Sequence, residues 1–162
     1  MTSREIPLTS GMVAIVDAED FERLSGFSWF ASKHHRTWYA RRSVKNIGGK
    51  RSTISMHREV MHAPKGLQVD HVNHNGLDNR KANLRLATCA QNMCNRQKQG
   101  GSSRSVYKGI THDKRNGKWR AQISIQNKNT YLGTAPTEEE AAKLYDAAAK
   151  KYFGPFAKEN FP

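Results

Sequence analysis

Hydrophobic and polar residues alternate most regularly near the C-terminus, in the stretch KWRAQISIQ at residues 118–126. Apolar side chains at every second position predict a β-strand whose buried face holds Trp119, Ala121, Ile123 and Ile125. The opposite face then carries Arg120, Gln122 and Ser124. The following TYLGT is the predicted hairpin partner, so this region predicts a small antiparallel sheet with one polar face.

A helical pattern follows this sheet in TEEEAAKLYDAAAKKY, residues 137–152. Thr137 and Glu140 have the spacing of a capping box, acidic residues fill the first turn, and lysines fill the last turn before Gly154. Small residues dominate one face, which would let the helix lie close against the sheet. That face consists of Ala141, Ala142, Tyr145, Ala148 and Ala149.

The first 56 residues predict a small β-rich unit. Alternating apolar and polar positions occur in MVAIVD, FSWFAS and TWYARRSV, and a Gly-Gly pair at 48–49 interrupts the pattern before RSTISM. Between the first two strands, Asp17 is a candidate helix cap, and Phe21 and Leu24 have helical spacing before Gly26. The sequence therefore predicts short strands and one short helix here.

The middle of the chain predicts a strand, a polar loop, a second strand and a helix. VDH forms the end of the first strand, NHNGLDNRKA the loop and NLRLAT the second strand, after which Thr88 caps a helix that contains Asn92. Residues 57–62 look like a helix end stopped by Pro64. The predicted division is a β-rich unit at 1–56, a core at 57–97, a basic Gly/Ser linker at 98–105 and a second domain at 106–162.

The positive net charge of the chain indicates which kind of binding partner to expect. The 162 residues contain 27 Lys and Arg against 14 Asp and Glu, a formal net charge of +13. This excess favours a polyanion such as nucleic acid, although general solubility is the alternative explanation. No apolar run is long enough for a membrane span and no signal-peptide pattern is present, so we expect a cytoplasmic protein. Cys89 and Cys94 are expected to be free thiols in such a compartment.

Asp70 and His71 stand next to each other at the predicted strand end, and Asn92 lies one turn into the predicted helix. Carboxylate and carboxamide oxygens are hard ligands that suit a magnesium-type ion, leaving other coordination positions to water and phosphate. An imidazole with an ordinary pKa near 6.5 can accept a proton from water around neutral pH. These residue types together suggest metal-assisted hydrolysis.

The stretch from His57 to Asn95 resembles the HNH nuclease motif, the ββα-metal module, in the subgroup of phage and intron homing endonucleases. The resemblance implies that His71 is the general base, that Asn83 braces the loop which orients it, and that Asp70 and Asn92 bind the metal. Asn in place of His at the last position favours a single Mg²⁺ or Mn²⁺. Nearby Arg85 and Arg96 are candidate phosphate contacts.

A zinc site is the competing interpretation of the same region. His71, His74, Cys89 and Cys94 are four residues of the types that bind zinc. However, the two cysteines are five positions apart and diverge by about 140° around a helix of 3.6 residues per turn. The sequence therefore favours the oxygen-ligand site.

Residues 106–162 resemble the APETALA-two/ethylene-response-factor DNA-binding domain in YKGI, GKWRAQI, YLGT, EEAAKLYDAAAKKYFG and the closing NFP. That family has a three-stranded antiparallel sheet backed by one helix, and the sheet enters the major groove. The implied DNA-facing residues are Lys108, Thr111, Arg115, Lys118, Arg120, Gln122, Ser124, Asn129 and Tyr131. The plant family has arginines where Thr111, Ser124 and Asn129 stand here, so its DNA preference does not transfer.

The fold class expected from the whole chain is α+β, with an HNH core and a separate sheet-and-helix domain. The expected function is a metal-dependent endonuclease of double-stranded DNA, without a small-molecule cofactor, in which the C-terminal domain tethers and partly selects the site. A phage-encoded version would act in the host cytoplasm. The alternative is a non-catalytic DNA-binding regulator that retains only the HNH-like fold.

Overall fold

The structure is a computed structural model that describes residues 2–34, 37–96, 98 and 105–162. The chain divides into two compact units, Met1–Cys89 and Ala90–Pro162. Several small antiparallel sheets and four α-helices among the described residues confirm the α+β class. Of the predicted linker at 98–105, only Lys98 and Ser105 lie within the described residues.

The first unit contains three small sheets. β1 (Ser3–Pro7) pairs with β2 (Val13–Asp17), and α1 (Ala18–Ser25) follows. β3 (Phe30–His34), β4 (Thr37–Lys45) and β5 (Arg51–Ser55) form a three-stranded sheet with β4 in the centre. α2 (Met56–Val60) comes next, and β6 (Gln68–His71) then pairs with β7 (Leu84–Ala87). α3 (Cys89–Cys94) follows β7 in the chain.

One hydrophobic core joins these elements of the first unit. Trp29 is fully buried at its centre, and the indole Nε1 donates a hydrogen bond to the Leu24 carbonyl at 2.8 Å. The core draws on both predicted segments, 1–56 and 57–97: Ile6 and Val16 come from the first hairpin, and Val69 and Leu84 come from β6 and β7. The N-terminal strands therefore support the strands that carry Asp70 and His71.

The second unit has one sheet and one long helix. β9 (Lys118–Ile125) lies between β8 (Ile110–Asp113) and β10 (Lys128–Ala135), and all pairs are antiparallel. A two-residue turn with positive φ at Gln126 and Asn127 joins β9 to β10, as tight hairpins require. α4 (Glu138–Phe153) packs its alanine face on Ile110, Ala121 and Ile123.

Specific contacts hold α4 at its N-terminus and along its middle. Thr137 Oγ1 accepts a hydrogen bond from the Glu140 amide at 3.2 Å, which confirms the predicted N-cap. Gly109 lets the chain pass the helix closely: a Cβ on it would stand 2.2 Å from the Tyr145 ring. Asp146 accepts hydrogen bonds from the amides of Asn160 and Phe161, which anchors the closing NFP segment.

Candidate functional site

Asp70 and His71 end β6 and are both buried, with exposed fractions of 6% and 5%. Asp70 lies opposite Arg85 in the ladder with β7, and His71 lies opposite Leu84. Burial of a carboxylate and an imidazole requires polar partners, because an unpaired charge or donor in the interior is costly. The surroundings of these two residues are accordingly polar and tightly connected.

Asn83 closes the loop that begins after His71. Its side-chain Oδ1 accepts a hydrogen bond from the Asn73 amide at 3.0 Å, and its Nδ2 donates to the Asp78 carbonyl at 2.8 Å. The Asn83 carbonyl also accepts a hydrogen bond from the Val72 amide at 2.9 Å. The carboxamide thus ties together both sides of the loop, which is the geometry that a bracing residue needs.

Asp78 organises the interior of this loop. It is 2% exposed, accepts a hydrogen bond from Asn73 Nδ2 at 2.9 Å, and receives Arg80 Nε and Nη2 at 2.8 and 2.7 Å. The hydrogen bond from Arg80 is the main cause that lowers the pKa of Asp78. The carboxylate is therefore a fixed structural anion in the loop.

The N-terminal strands hold the same loop from outside. The Asn79 amide donates to the Ile15 carbonyl at 2.7 Å, and the Lys81 amide donates to Asp17 Oδ2 at 2.8 Å. Gly76 packs so closely on β4 that a Cβ would stand 2.4 Å from the Trp38 carbonyl oxygen. Any larger residue at this position would push the loop away from the sheet.

The His71 ring lies in a cluster with two other rings. The ring centroid of His57 is 5.1 Å from that of His71, and the Tyr39 centroid is 5.6 Å away. Burial lowers the pKa of His71, while the Asn79 side chain and the carboxylates of Asp70 and Asp78 oppose that shift. The neutral imidazole, which can accept a proton, is therefore favoured.

His57 carries a larger shift of the same kind. Burial, followed by the positive field of protonated His71 and of Arg58 and Arg41, lowers the pKa of His57 to about 3. The neutral form of His57 is therefore favoured around neutral pH. It packs its ring edge-on against His71 rather than providing a second charge.

Arg85 contacts Asp70 in this structure. Its Nε donates to Asp70 Oδ2 at 2.7 Å, and its Nη2 lies 2.7 Å from the same oxygen. Only 19% of the Arg85 side chain is exposed. The predicted phosphate contact by Arg85 stays a prediction, and in this structure the guanidinium group is bound to the carboxylate.

Asn92 lies on α3 and is half-buried, and Arg96 is exposed beyond the end of that helix. In the described ranges, no group of three or more His, Cys, Asp and Glu side chains is arranged to hold a metal ion. A four-residue zinc cluster of His71, His74, Cys89 and Cys94 is therefore not formed here. The predicted metal ligands Asp70 and Asn92 stay a prediction.

The sheet of the second unit has one exposed polar face. Residues directly opposite in antiparallel strands share a face, and the register places Arg120 opposite Thr111, Gln122 opposite Tyr131, and Ser124 opposite Asn129. The Arg120 guanidinium carbon lies 5.1 Å from the Tyr131 ring centroid. Arg115 is exposed in the turn that precedes β9, and Lys118 is exposed as the first residue of that strand. The predicted DNA-facing residues that lie on the three strands thus share one surface.

Lys108 precedes β8 and is not one of the strand residues of that face. Its side chain is half-buried. Its Nζ donates hydrogen bonds to the carbonyls of Cys94 at 2.6 Å and Arg96 at 2.8 Å. Burial lowers the pKa of Lys108 to about 8. In this structure the ammonium group holds the backbone that follows α3, so a DNA contact by Lys108 stays a prediction.

Several residues of the His71 environment could not be identified from the sequence. Tyr39, His57 and Asn79 reach His71 only through the tertiary fold. The one local signal was the density of asparagines between 73 and 83, a composition typical of loops that are stabilised by side-chain hydrogen bonds.

Comparisons with known proteins agree with this two-part organisation. Residues 62–94 match the HNH endonuclease family, and residues 105–155 match the AP2 domain family. An uncharacterized HNH endonuclease of Acanthamoeba polyphaga mimivirus is 33% identical over 130 residues, which cover 76% of this chain and 66% of that protein.

Two plant relatives match the C-terminal part. The AP2-like ethylene-responsive transcription factors AIL7 and ANT of Arabidopsis thaliana are 49% and 47% identical over 70 residues. These cover 41% of this chain but only 14% and 13% of the plant proteins. The chain spans just under two thirds of the viral relative. It therefore carries an HNH endonuclease segment followed by a C-terminal AP2 domain.

Proposed function

We propose that the protein is a magnesium- or manganese-dependent endonuclease of the homing or phage type that hydrolyses double-stranded DNA. The observation that carries this proposal is the buried Asp70-His71 pair at the end of β6, beside a loop that Asn83 fixes with hydrogen bonds on both sides. The mimivirus relative, described as an HNH endonuclease, supports the same activity.

His71 is the general base in this proposal. Burial favours its neutral form, which takes a proton from the water that attacks the phosphorus atom. As the new P–O bond forms, the bond to the 3′-oxygen breaks and that oxygen takes a proton from solvent. The products are a 3′-hydroxyl and a 5′-phosphate. Asn83 contributes by keeping the loop after His71 in place, so it is a positioning residue.

Asp70 and Asn92 are the proposed protein ligands of the divalent cation. When bound, the cation supplies stabilisation of the negative charge that develops on the phosphate oxygens. Asp70 would hold the cation with a negatively charged oxygen, whereas Asn92 would contribute a neutral oxygen. Loss of Asp70 should therefore weaken cation binding more than loss of Asn92.

The AP2 domain binds the duplex in this proposal and raises the effective DNA concentration at the nuclease unit. Its exposed sheet face carries basic and hydrogen-bonding side chains, which suit phosphate and base edges. Substitution of the plant arginines by Thr111, Ser124 and Asn129 suggests a weaker or different sequence preference.

Plasmid nicking with added Mg²⁺ tests the proposal, with His71→Ala as the diagnostic variant. We expect cleavage to fall by roughly 10²- to 10⁴-fold because a general base is lost, while DNA affinity stays nearly constant. His62→Asn is a matched control, since His62 is exposed and Asn tolerates its positive φ of 45°.

The outcome separates this function from a DNA-binding regulator without activity. Full nicking by folded His71→Ala would refute the proposed base, and absence of metal-dependent nicking by the wild-type chain on any duplex would favour the regulator.

A further inference from the structure

The Arg85 guanidinium group is paired with the Asp70 carboxylate. In the proposed function, the same carboxylate binds the divalent metal ion. The two residues lie directly opposite each other in the β6–β7 ladder. Arg85 Nε and Nη2 each lie 2.7 Å from Asp70 Oδ2. The side chains are 7% and 19% exposed, respectively. Little water is therefore available to screen the interaction.

A buried carboxylate at neutral pH needs a compensating charge. Arg85 supplies that charge through its guanidinium group. A divalent ion brought to the same carboxylate would face the guanidinium charge across a poorly screened distance. The ion and Arg85 therefore compete for Asp70.

We propose that Arg85 is a positioning residue that occupies Asp70 until the divalent cation and the DNA arrive together. This inference rests on the proposed function, because it takes Asp70 as a metal ligand. A DNA phosphate offers Arg85 an alternative anion, and guanidinium groups bind phosphate well in a bidentate manner. DNA and metal then promote each other's binding, since coupling between two sites is reciprocal.

The pair of Asp78 and Arg80 provides an internal comparison. It has the same chemistry and similar distances of 2.7 and 2.8 Å, but it lies within the loop, and Arg80 is 45% exposed. Nothing assigns Asp78 to a metal. Removing Arg80 takes away the guanidinium group that is bound to Asp78. It leaves the pairing of Arg85 with Asp70 unchanged.

The test is Mn²⁺ binding to the full-length protein without DNA, measured by electron paramagnetic resonance. Arg85→Gln should bind Mn²⁺ more tightly than wild type by at least about fivefold, the lower end of typical coupling between sites. Arg80→Gln should stay within about twofold of wild type, because its carboxylate is not a ligand. Equal or weaker Mn²⁺ binding by Arg85→Gln would overturn the inference.

Asp70→Asn, introduced into wild type and into Arg85→Gln, separates this inference from the proposed function. If Mn²⁺ binding persists in both Asp70→Asn proteins, Asp70 is not the ligand and both proposals fail at this residue. If Asp70→Asn abolishes binding while Arg85→Gln leaves the affinity unchanged, only the competition by Arg85 is refuted.

A second measurement, on a chain that keeps both Arg85 and Arg80, covers the possibility that Arg85→Gln does not fold. The side-chain Nε–H signals of Arg85 and Arg80 can be followed by nuclear magnetic resonance during titration with Mg²⁺ and a short duplex, using His71→Ala to prevent cleavage. The Arg85 signal should shift when both are present, and the Arg80 signal should not. An Arg85 signal that stays unchanged at saturating Mg²⁺ and duplex would contradict the proposal.

Discussion

The two units present their functional side chains in opposite ways. In the nuclease unit Asp70, His71 and Asn83 are all less than 9% exposed and are held in a dense polar environment. In the AP2 unit Arg120, Ser124 and Tyr131 stand on an exposed sheet face. Hydrolysis requires groups fixed relative to the reacting atoms, whereas recognition of a duplex requires an accessible surface. Substitutions of the buried residues around His71 should therefore change rate, and those on the exposed sheet face should change affinity.

After the loss of His71 itself, the largest effect should come from removing the hydrogen bonds of Asn83 in the nuclease unit. Asn83→Ala removes the hydrogen bonds to the Asn73 amide and the Asp78 carbonyl, so the loop after His71 loses its fixed position. We expect single-turnover cleavage to fall by about 10²-fold, as small misplacements of reacting groups can cause, with little change in DNA affinity. Thermal unfolding checks that the variant is folded.

Asn75→Ala is the matched control for that experiment. Asn75 lies in the same loop but is exposed, and its side chain bonds only to the Leu77 amide two residues away. Its removal should leave cleavage within about threefold of wild type, since exposed local bonds contribute little. Equal losses in the two variants would mean that the loop tolerates no change and that Asn83 has no special role.

An intermediate effect is expected on the exposed AP2 face. Arg120→Ala removes the charged side chain that lies over Tyr131 in the centre of the predicted DNA-facing surface. DNA affinity should fall by about tenfold to a hundredfold, while cleavage at saturating protein should stay near the wild-type rate. Binding can be measured by fluorescence anisotropy at two salt concentrations.

Lys143→Ala removes the same charge from an exposed position on α4, the helix that packs on the other side of the sheet. Its affinity should remain close to wild type. If the two variants weaken binding equally, the effect of Arg120 is one of net charge, and the sheet face is not the recognition surface.

Sequence patterns predicted the elements of the AP2 unit better than the connections of the nuclease unit. The alternation in β9 and the Thr137 N-cap of α4 are local signals, and the structure confirms both. β1 was not predicted, because SREIP contains charged residues and a proline, and only Ile6 among its side chains is buried. Its position depends on pairing with β2 rather than on its own pattern.

Asp17 shows why the remaining contacts of the site could not be predicted from the sequence. It was predicted to cap α1, but its side chain makes no cap hydrogen bond and instead accepts from the amide of Lys81, 64 residues away. The same limit applies to Tyr39 and Asn79, whose proximity to His71 results from packing between distant segments. Local sequence patterns carry no information on such contacts.

The smallest expected effect concerns Lys108, a predicted DNA-facing residue that is not one of the strand residues of the exposed face. Its ammonium group bonds to the Cys94 and Arg96 carbonyls, and burial lowers its pKa from the ordinary 10.5 to about 8. Below about pH 8 both folded and unfolded chains carry the proton, so the cost of burying the charge is fully present. Between about 8 and 10.5 the unfolded chain binds more protons, and stability therefore rises with pH.

Lys108→Met removes this titration while keeping most of the side-chain volume. The stability of wild type relative to Lys108→Met should be greater at pH 10 than at pH 7, because only wild type gains from deprotonation over that interval. Urea unfolding followed by amide signals of β9 reports on the correct unit. A difference that stays constant from pH 7 to pH 10 would show that Lys108 has an ordinary pKa and is accessible to water. In that case, Lys108 would again be a candidate for the DNA-binding surface.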